Sequence, residues 1–139
     1  MNRYVVASVD DFPAEGRKLV HVKGRPIAIF RLGEEWFALS NRCPHQGGSL
    51  CEGRQIGLVE APRPGEYRYS RNGEIIRCPW HGWEFDIRTG LSRCRPDDLL
   101  VRQFPVNLED GETIESCADI KGVETFEVKV DGNYLVLTV

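Results

Sequence analysis

Two short motifs constrain this chain more than any other feature: Cys43-Pro44-His45 and Cys78-Pro79-Trp80-His81. Each offers one thiolate and one imidazole on a short loop, and both ligand types suit zinc or iron. A proline after each cysteine stiffens the loop and removes a backbone donor. Gly47, Gly48 and Gly82 let backbone come close to a bound metal, so that neighbouring N–H groups can point at its sulfur ligands. The bland alternative is two buried cysteines beside two surface histidines. It is weakened because the chain has only three histidines and the matched pairs use two of them.

The spacing leaves two metals in play. Cys₂His₂ is a structural zinc set, but finger spacings run C-x₂₋₄-C and then H-x₃₋₅-H. Here each loop mixes its ligands, as C-x-H and C-x₂-H. One cysteine and one histidine from each of two facing loops is what a two-iron cluster with unlike irons requires.

The rest of the chain supplies a frame. Its 139 residues suggest one domain. A chain of that size buries about 68–70% of its unfolded surface and needs no disulfide staples. Charged residues make up 28% and the formal net charge is −3, an ordinary folded profile. Val and Ile total 21 against 7 for Ala and Met, with 14 Gly and 8 Pro, which leans towards β structure. Residues 17–22, 26–32 and 36–40 read as three strands of a meander, with turns at Lys23-Gly24-Arg25 and Gly33-Glu34-Glu35. Residues 124–130 alternate apolar and polar, Asp131-Gly132-Asn133 turns, and 134–139 returns, which predicts a C-terminal hairpin. Residues 100–108 read as extended with a break at Pro105, and the one helix candidate is a turn or two near residues 8–15. Residues 41–96 hold four of the five cysteines, two of the three tryptophans and five of the eight prolines. That loop-rich texture predicts a site-bearing subdomain on a β base of about 1–40 and 97–139.

Other classes are disfavoured. No run of 18 apolar residues exists, so a spanning helix is not expected. The N-terminus reaches Asp10-Asp11 before a signal-type apolar core forms, which predicts no secretory signal and a cytoplasmic, reducing setting. Residues 1–96 carry +4 and 97–139 carry −7, and no basic stripe of the nucleic-acid-binding kind appears.

The two motifs, with Gly82-Trp83-Glu84-Phe85-Asp86 after the second, resemble the Rieske [2Fe–2S] motif. They are most similar to the ferredoxins and ferredoxin-like domains of aromatic-ring-hydroxylating oxygenase systems. The likeness extends to Trp36-Phe37-Ala38-Leu39 before the first motif and Arg88-Thr89-Gly90 after the second. The resemblance implies an all-β fold, the Rieske antiparallel β-sandwich with a small cluster-binding β subdomain. It implies one [2Fe–2S] cluster, with Cys43 and Cys78 on one iron and His45 and His81 on the other. It also implies protein partners, a reductase and a terminal oxygenase, with no nucleic acid and no membrane.

The chain departs from the family pattern in one place. Thirty-two residues separate His45 from Cys78, more than in compact ferredoxins. The surplus, roughly 57–73, reads as an added hairpin or long loop, either a partner-contacting projection or a tolerated surface insertion.

Potential is expected to be low. Respiratory Rieske proteins carry a hydroxyl residue two places after the second histidine and a tyrosine two places further, where this chain has Trp83 and Phe85. They also carry an extra cysteine in each loop, joined as a disulfide, where this chain has Gly48 and Trp80. Cys51, Cys94 and Cys117 are expected to be buried or semi-exposed thiols outside the cluster, and His21 to be structural. Arg95-Pro96 is read either as a cluster-covering proline loop or as an ordinary turn. Trp80 and Trp83 are read as cluster shield or core.

The leading expectation is a soluble one-electron carrier with no catalytic residues of its own. A catalytic oxygenase subunit needs a mononuclear iron on two histidines and a carboxylate. Only His21 remains for that site. The alternatives are the small Rieske-like subunit of a reductase such as nitrite reductase, and a zinc-stabilised interaction module.

Overall fold

The computed structural model describes residues 2–44, 47–80, 82–122 and 128–139. Among them the architecture is all-β with one short α-helix. The strands are β1 (Arg3–Ser8), β2 (Arg17–Val22), β3 (Arg25–Leu32), β4 (Glu35–Ser40), β5 (Arg54–Arg63), β6 (Glu66–Arg77), β7 (Glu84–Asp86), β8 (Gln103–Phe104), β9 (Val106–Asp110), β10 (Ile120–Lys121) and β11 (Asn133–Thr138), with α1 (Gly111–Ser116) after β9. The chain divides into two compact units, one of Met1–Ala38 with Phe104–Val139, the other of Leu39–Gln103.

The first unit is a sandwich. One sheet runs β10-β1-β11-β9 and the facing one β2-β3-β4-β8. Val6, Ala7, Leu135 and Leu137 from the first sheet pack on Val20, Val22, Ile27, Ile29 and Ala38 from the second. The opposite face of the first sheet is buried too, because Val5, Tyr134 and Val136 pack under Ile114 of α1 and Ile120. β11 therefore reads Tyr-Leu-Val-Leu without a polar break, as a strand covered on both faces does. Each such Leu or Val stabilises the fold by about 1.5–3 kcal/mol.

The β2–β3 hairpin forms where its turn residues predict. Lys23 and Gly24 both take positive φ, 52° and 74°, the tight-hairpin geometry that matches strand twist. Of the expected C-terminal hairpin, only part falls on described residues. β11 is strand as predicted, and its two edges pair with β1 and β9. Val128 to Val130 are not strand, and 124–127 lie outside the described residues. Ser8 ends β1 and residues 9–15 run through bends and turns, not helix. The helix forms at α1, where Asp110 Oδ1 accepts the N–H of Thr113 at 2.7 Å and caps its first turn.

The second unit is built on the antiparallel sheet β5-β6-β7. Leu39, Leu50, Ile75, Ile76, Phe85, Ile87 and Val101 are buried in it. The surplus of the sequence is the outer part of the β5–β6 hairpin, a hairpin rather than a loose loop, turning at Pro64-Gly65. Its register slips between Ile56 and Leu58, where Arg71 takes φ 51° and Gly73 φ 77°. An ion-pair network ties this bulge down. Arg71 bonds Glu74 and Asp86, each at 2.9 Å, and Arg88 Nε bonds Glu74 at 2.8 Å.

Candidate metal centre

The first loop follows β4 and is held by one buried amide. Asn41 donates from Nδ2 to Ser49 Oγ at 2.8 Å and accepts the N–H of Cys51 at 2.7 Å. Its carbonyl accepts the N–H of Leu50 at 2.8 Å. Inside that clamp Cys43 makes a tight turn: its N–H donates to Gly48 O and its carbonyl accepts from Gly47, both at 2.8 Å. The second loop follows β6 and closes through Cys78 N–H on Trp83 O at 2.7 Å.

Two glycines set how close the loops come. A β-carbon on Gly53 would lie on the carbonyl oxygen of Arg77, so the exit of the first loop runs against the strand that delivers Cys78. A β-carbon on Gly48 would stand 2.8 Å from Cys78 Sγ and 3.3 Å from Trp80 Cβ. Gly48 and Trp80 are the positions at which respiratory Rieske proteins carry their disulfide, and here they touch without one.

Cys43 and Cys78 come together. Both are 2% exposed. Burial pushes the Cys78 thiol up, the Trp80 backbone N–H works against it, and neighbouring Cys43 adds to the rise. A free thiolate is thus disfavoured in this pocket, and a metal held there by the two sulfurs would supply the charge that displaces the proton. The Trp80 N–H lies 3.4 Å from Cys78 Sγ, a donor aimed at a ligand sulfur. Two adjacent buried sulfurs, a backbone donor facing one of them and a side-chain-free cradle fit a metal with thiolate ligands. His45 and His81 lie outside the described residues.

The remaining candidates take other places. Cys51 and Cys117 are half-buried and Cys94 is exposed, and none of the three is in a disulfide. Among the described residues no group of three or more potential metal ligands forms, so none of these thiols joins the Cys43–Cys78 pair in such a group. His21 is exposed on β2. Arg95-Pro96 begins a turn in which Arg95 O accepts from Asp98 and Leu99 at 3.1 and 2.9 Å. Trp80 is 57% exposed and so not core, while Trp83 is half-buried. Among the described residues no helix is long and apolar enough to cross a membrane. Sequence reasoning missed Asn41, whose partners lie eight and ten residues on, and Gly53, whose neighbour Arg77 comes from the end of β6.

Comparison with known proteins accords with this geometry. The ferredoxin subunit of anthranilate 1,2-dioxygenase from Burkholderia cepacia is 33% identical over 108 residues, covering 77% of this chain and 84% of that protein. Two solved structures share the fold. The ferredoxin of carbazole 1,9a-dioxygenase from Nocardioides aromaticivorans superposes with a TM-score of 0.57 at 22% identity, covering 97% of both chains. A protein assigned as the small subunit of an NADPH nitrite reductase superposes with a TM-score of 0.61 at 13% identity over the full length of both. At those identities the structures speak for fold alone. The profile of the Rieske [2Fe-2S] domain matches residues 2–105, three quarters of the chain and both cysteine loops, and the chain belongs to that family.

Proposed function

We propose that this protein is a Rieske ferredoxin of the cytoplasm, carrying one electron at a time from a reductase to a terminal oxygenase. The observation that carries the reading is the buried Cys43–Cys78 pair, delivered by two different loops in a chain of the Rieske family. We assign Cys43 and Cys78 to one iron of a [2Fe–2S] cluster and His45 and His81 to the other. Residues 1–139 then make one Rieske domain, with a cluster-binding part of about 41–96 inserted in the β base. The cluster supplies a reversible one-electron step. The chain's own residues bury the thiolates, aim the Trp80 N–H at Cys78, and fix the spacing through Asn41, Gly48 and Gly53. The likeness to a dioxygenase ferredoxin subunit at 33% identity favours an oxygenase as acceptor over a nitrite reductase, to which the likeness is one of fold.

Metal analysis tests the assignment. Two irons and two acid-labile sulfides per chain are expected, with a coloured protein that bleaches on reduction. One zinc without sulfide would overturn it. His45→Ala or His81→Ala should each lose the cluster, since an iron position left open admits solvent. For the role, the reduced protein should support turnover of a ring-hydroxylating oxygenase when recombined with a flavin reductase.

A further inference from the structure

Both cysteine loops share a residue that the metal reading leaves unused. The first runs Arg42-Cys43-Pro44 and the second Arg77-Cys78-Pro79. The cysteines are buried, but both arginines are exposed. Each lies along its own loop: Arg42 Cγ is 3.7 Å from where a β-carbon on Gly47 would stand, and Arg77 Nη2 is 2.9 Å from one on Gly82. Neither is in an ion pair among the described residues. The ion pairs of this unit engage Arg71, Arg88, Arg93 and Arg95 instead.

Strand pairing makes the surplus of cation plainer. Along the outer β5–β6 hairpin opposite charges face each other, Glu60 against Arg68 and Arg63 against Glu66. At the root, beside Cys78, the pattern breaks and Arg54 lies directly opposite Arg77. Like charges so placed destabilise a sheet. On its other side Arg77 faces Glu84, but Arg93 already holds Glu84 Oε1 at 3.0 Å. The row therefore sets three guanidinium groups against one carboxylate, and folding alone gives no reason for it. The unit Leu39–Gln103 has ten arginines, no lysine and eight acidic residues, in a chain whose net charge is −3.

Arginine is the cation that takes carboxylates in bidentate fashion and loses little hydration on doing so. Trp80, 57% exposed and packed at its base against Gly48, stands where the two loops meet. Exposed tryptophan and arginine are the residue types that dominate binding energy at protein interfaces. We propose that Arg42, Arg54 and Arg77, with Trp80, form a docking rim for an acidic surface of the redox partner. The proposal rests on the electron-carrier reading. The net charge of the whole chain would repel such a partner, while the local rim attracts it.

Two acceptor proteins of opposite charge test this: plant plastocyanin, which is acidic, and mitochondrial cytochrome c, which is basic. Stopped-flow oxidation of the reduced protein is followed against sodium chloride. The plastocyanin rate should fall roughly tenfold from low to high salt, as for a steered encounter. The double variant Arg42→Gln/Arg77→Gln, with its cluster spectrum unchanged, should lose several-fold in the low-salt plastocyanin rate and none in the cytochrome c rate. A plastocyanin rate that rises with salt or ignores it, as the net charge dictates, overturns the rim. So does an intact double variant with the wild-type plastocyanin rate. If the variant loses its cluster, the wild-type salt series decides alone. Failure of the carrier reading looks different, as a protein with no reducible centre for either acceptor to oxidise.

Discussion

The backbone N–H of Trp80 faces Cys78 Sγ across 3.4 Å. A donor placed there stabilises negative charge on the sulfur, and reduction adds one negative charge to the cluster. Trp80→Pro removes the donor, whereas Trp80→Ala keeps it. Voltammetry should show a midpoint lowered by some tens of millivolts in the proline variant and nearly unmoved in the alanine variant, on a scale of about 59 mV per tenfold for one electron. Equal shifts in both would assign the effect to the ring. The wild-type midpoint itself is expected near the negative end of the Rieske span, about −150 mV, since Trp83 and Phe85 bring no hydroxyl.

Gly48→Ala places a methyl carbon 2.8 Å from Cys78 Sγ. No real β-carbon sits that close, so one loop must shift. The variant should fold but hold iron poorly, with iron content per chain well below wild type. A full complement of iron and sulfide would show that the cradle has slack.

Replacing Cys51, Cys94 and Cys117 together by serine should leave the visible and EPR spectra unchanged. A modest loss of thermal stability is expected from the two half-buried sites, where a more polar hydroxyl replaces the thiol. Loss of the cluster spectrum would mean that one of the three is a ligand.

Asn41→Ala deprives Ser49 Oγ and the Cys51 N–H of their partner. Leaving such groups unsatisfied costs about 1–3 kcal/mol. Denaturant unfolding should show that loss, together with faster release of iron to a chelator. Stability equal to wild type would mean that water substitutes for the amide.

Acid should weaken the bulge network. Arg88 and then Arg71 hold the Glu74 carboxyl below its usual range by hydrogen bonds, with burial opposing them. A carboxylate whose folded pKa is depressed adds stability above its unfolded pKa, and that stability fades as pH falls through the folded value. Melting temperature should therefore drop from neutral pH towards about pH 3, and Glu74→Gln should drop less steeply while starting lower. Parallel curves would show that Glu74 adds nothing to folding.

What the sequence made legible is what short range decides. Lys23-Gly24 specifies its own turn, and alternation around it specifies the paired strands β2 and β3. The two cysteine loops could be placed for the same reason, since Cys43 and Cys78 each carry their turn chemistry with them. The failures are long-range. β11 takes β1, from the other end of the chain, and β9 as its neighbours, a pairing that local alternation does not announce. Asn41 looks like any loop asparagine until Ser49 and Cys51 fold over it. The helix at α1 had a local signal, the capping Asp110, but six residues make too short a stretch for periodicity to show.

Beyond the bulge at Gly57, strands β5 and β6 pair only with each other among the described residues, and β7 pairs with β6 over Ile75, Ile76 and Arg77. Tyr67 and Tyr69 there are 65% and 71% exposed, so the arm has no core of its own. Two strands without a covering layer are barely stable in water. The arm is therefore expected to open before the three-stranded root does. A protease that nicks the turn at Pro64-Gly65 trims an appendage and leaves the cysteine loops standing, so the insertion can lengthen, shorten or vanish without taking the redox centre with it.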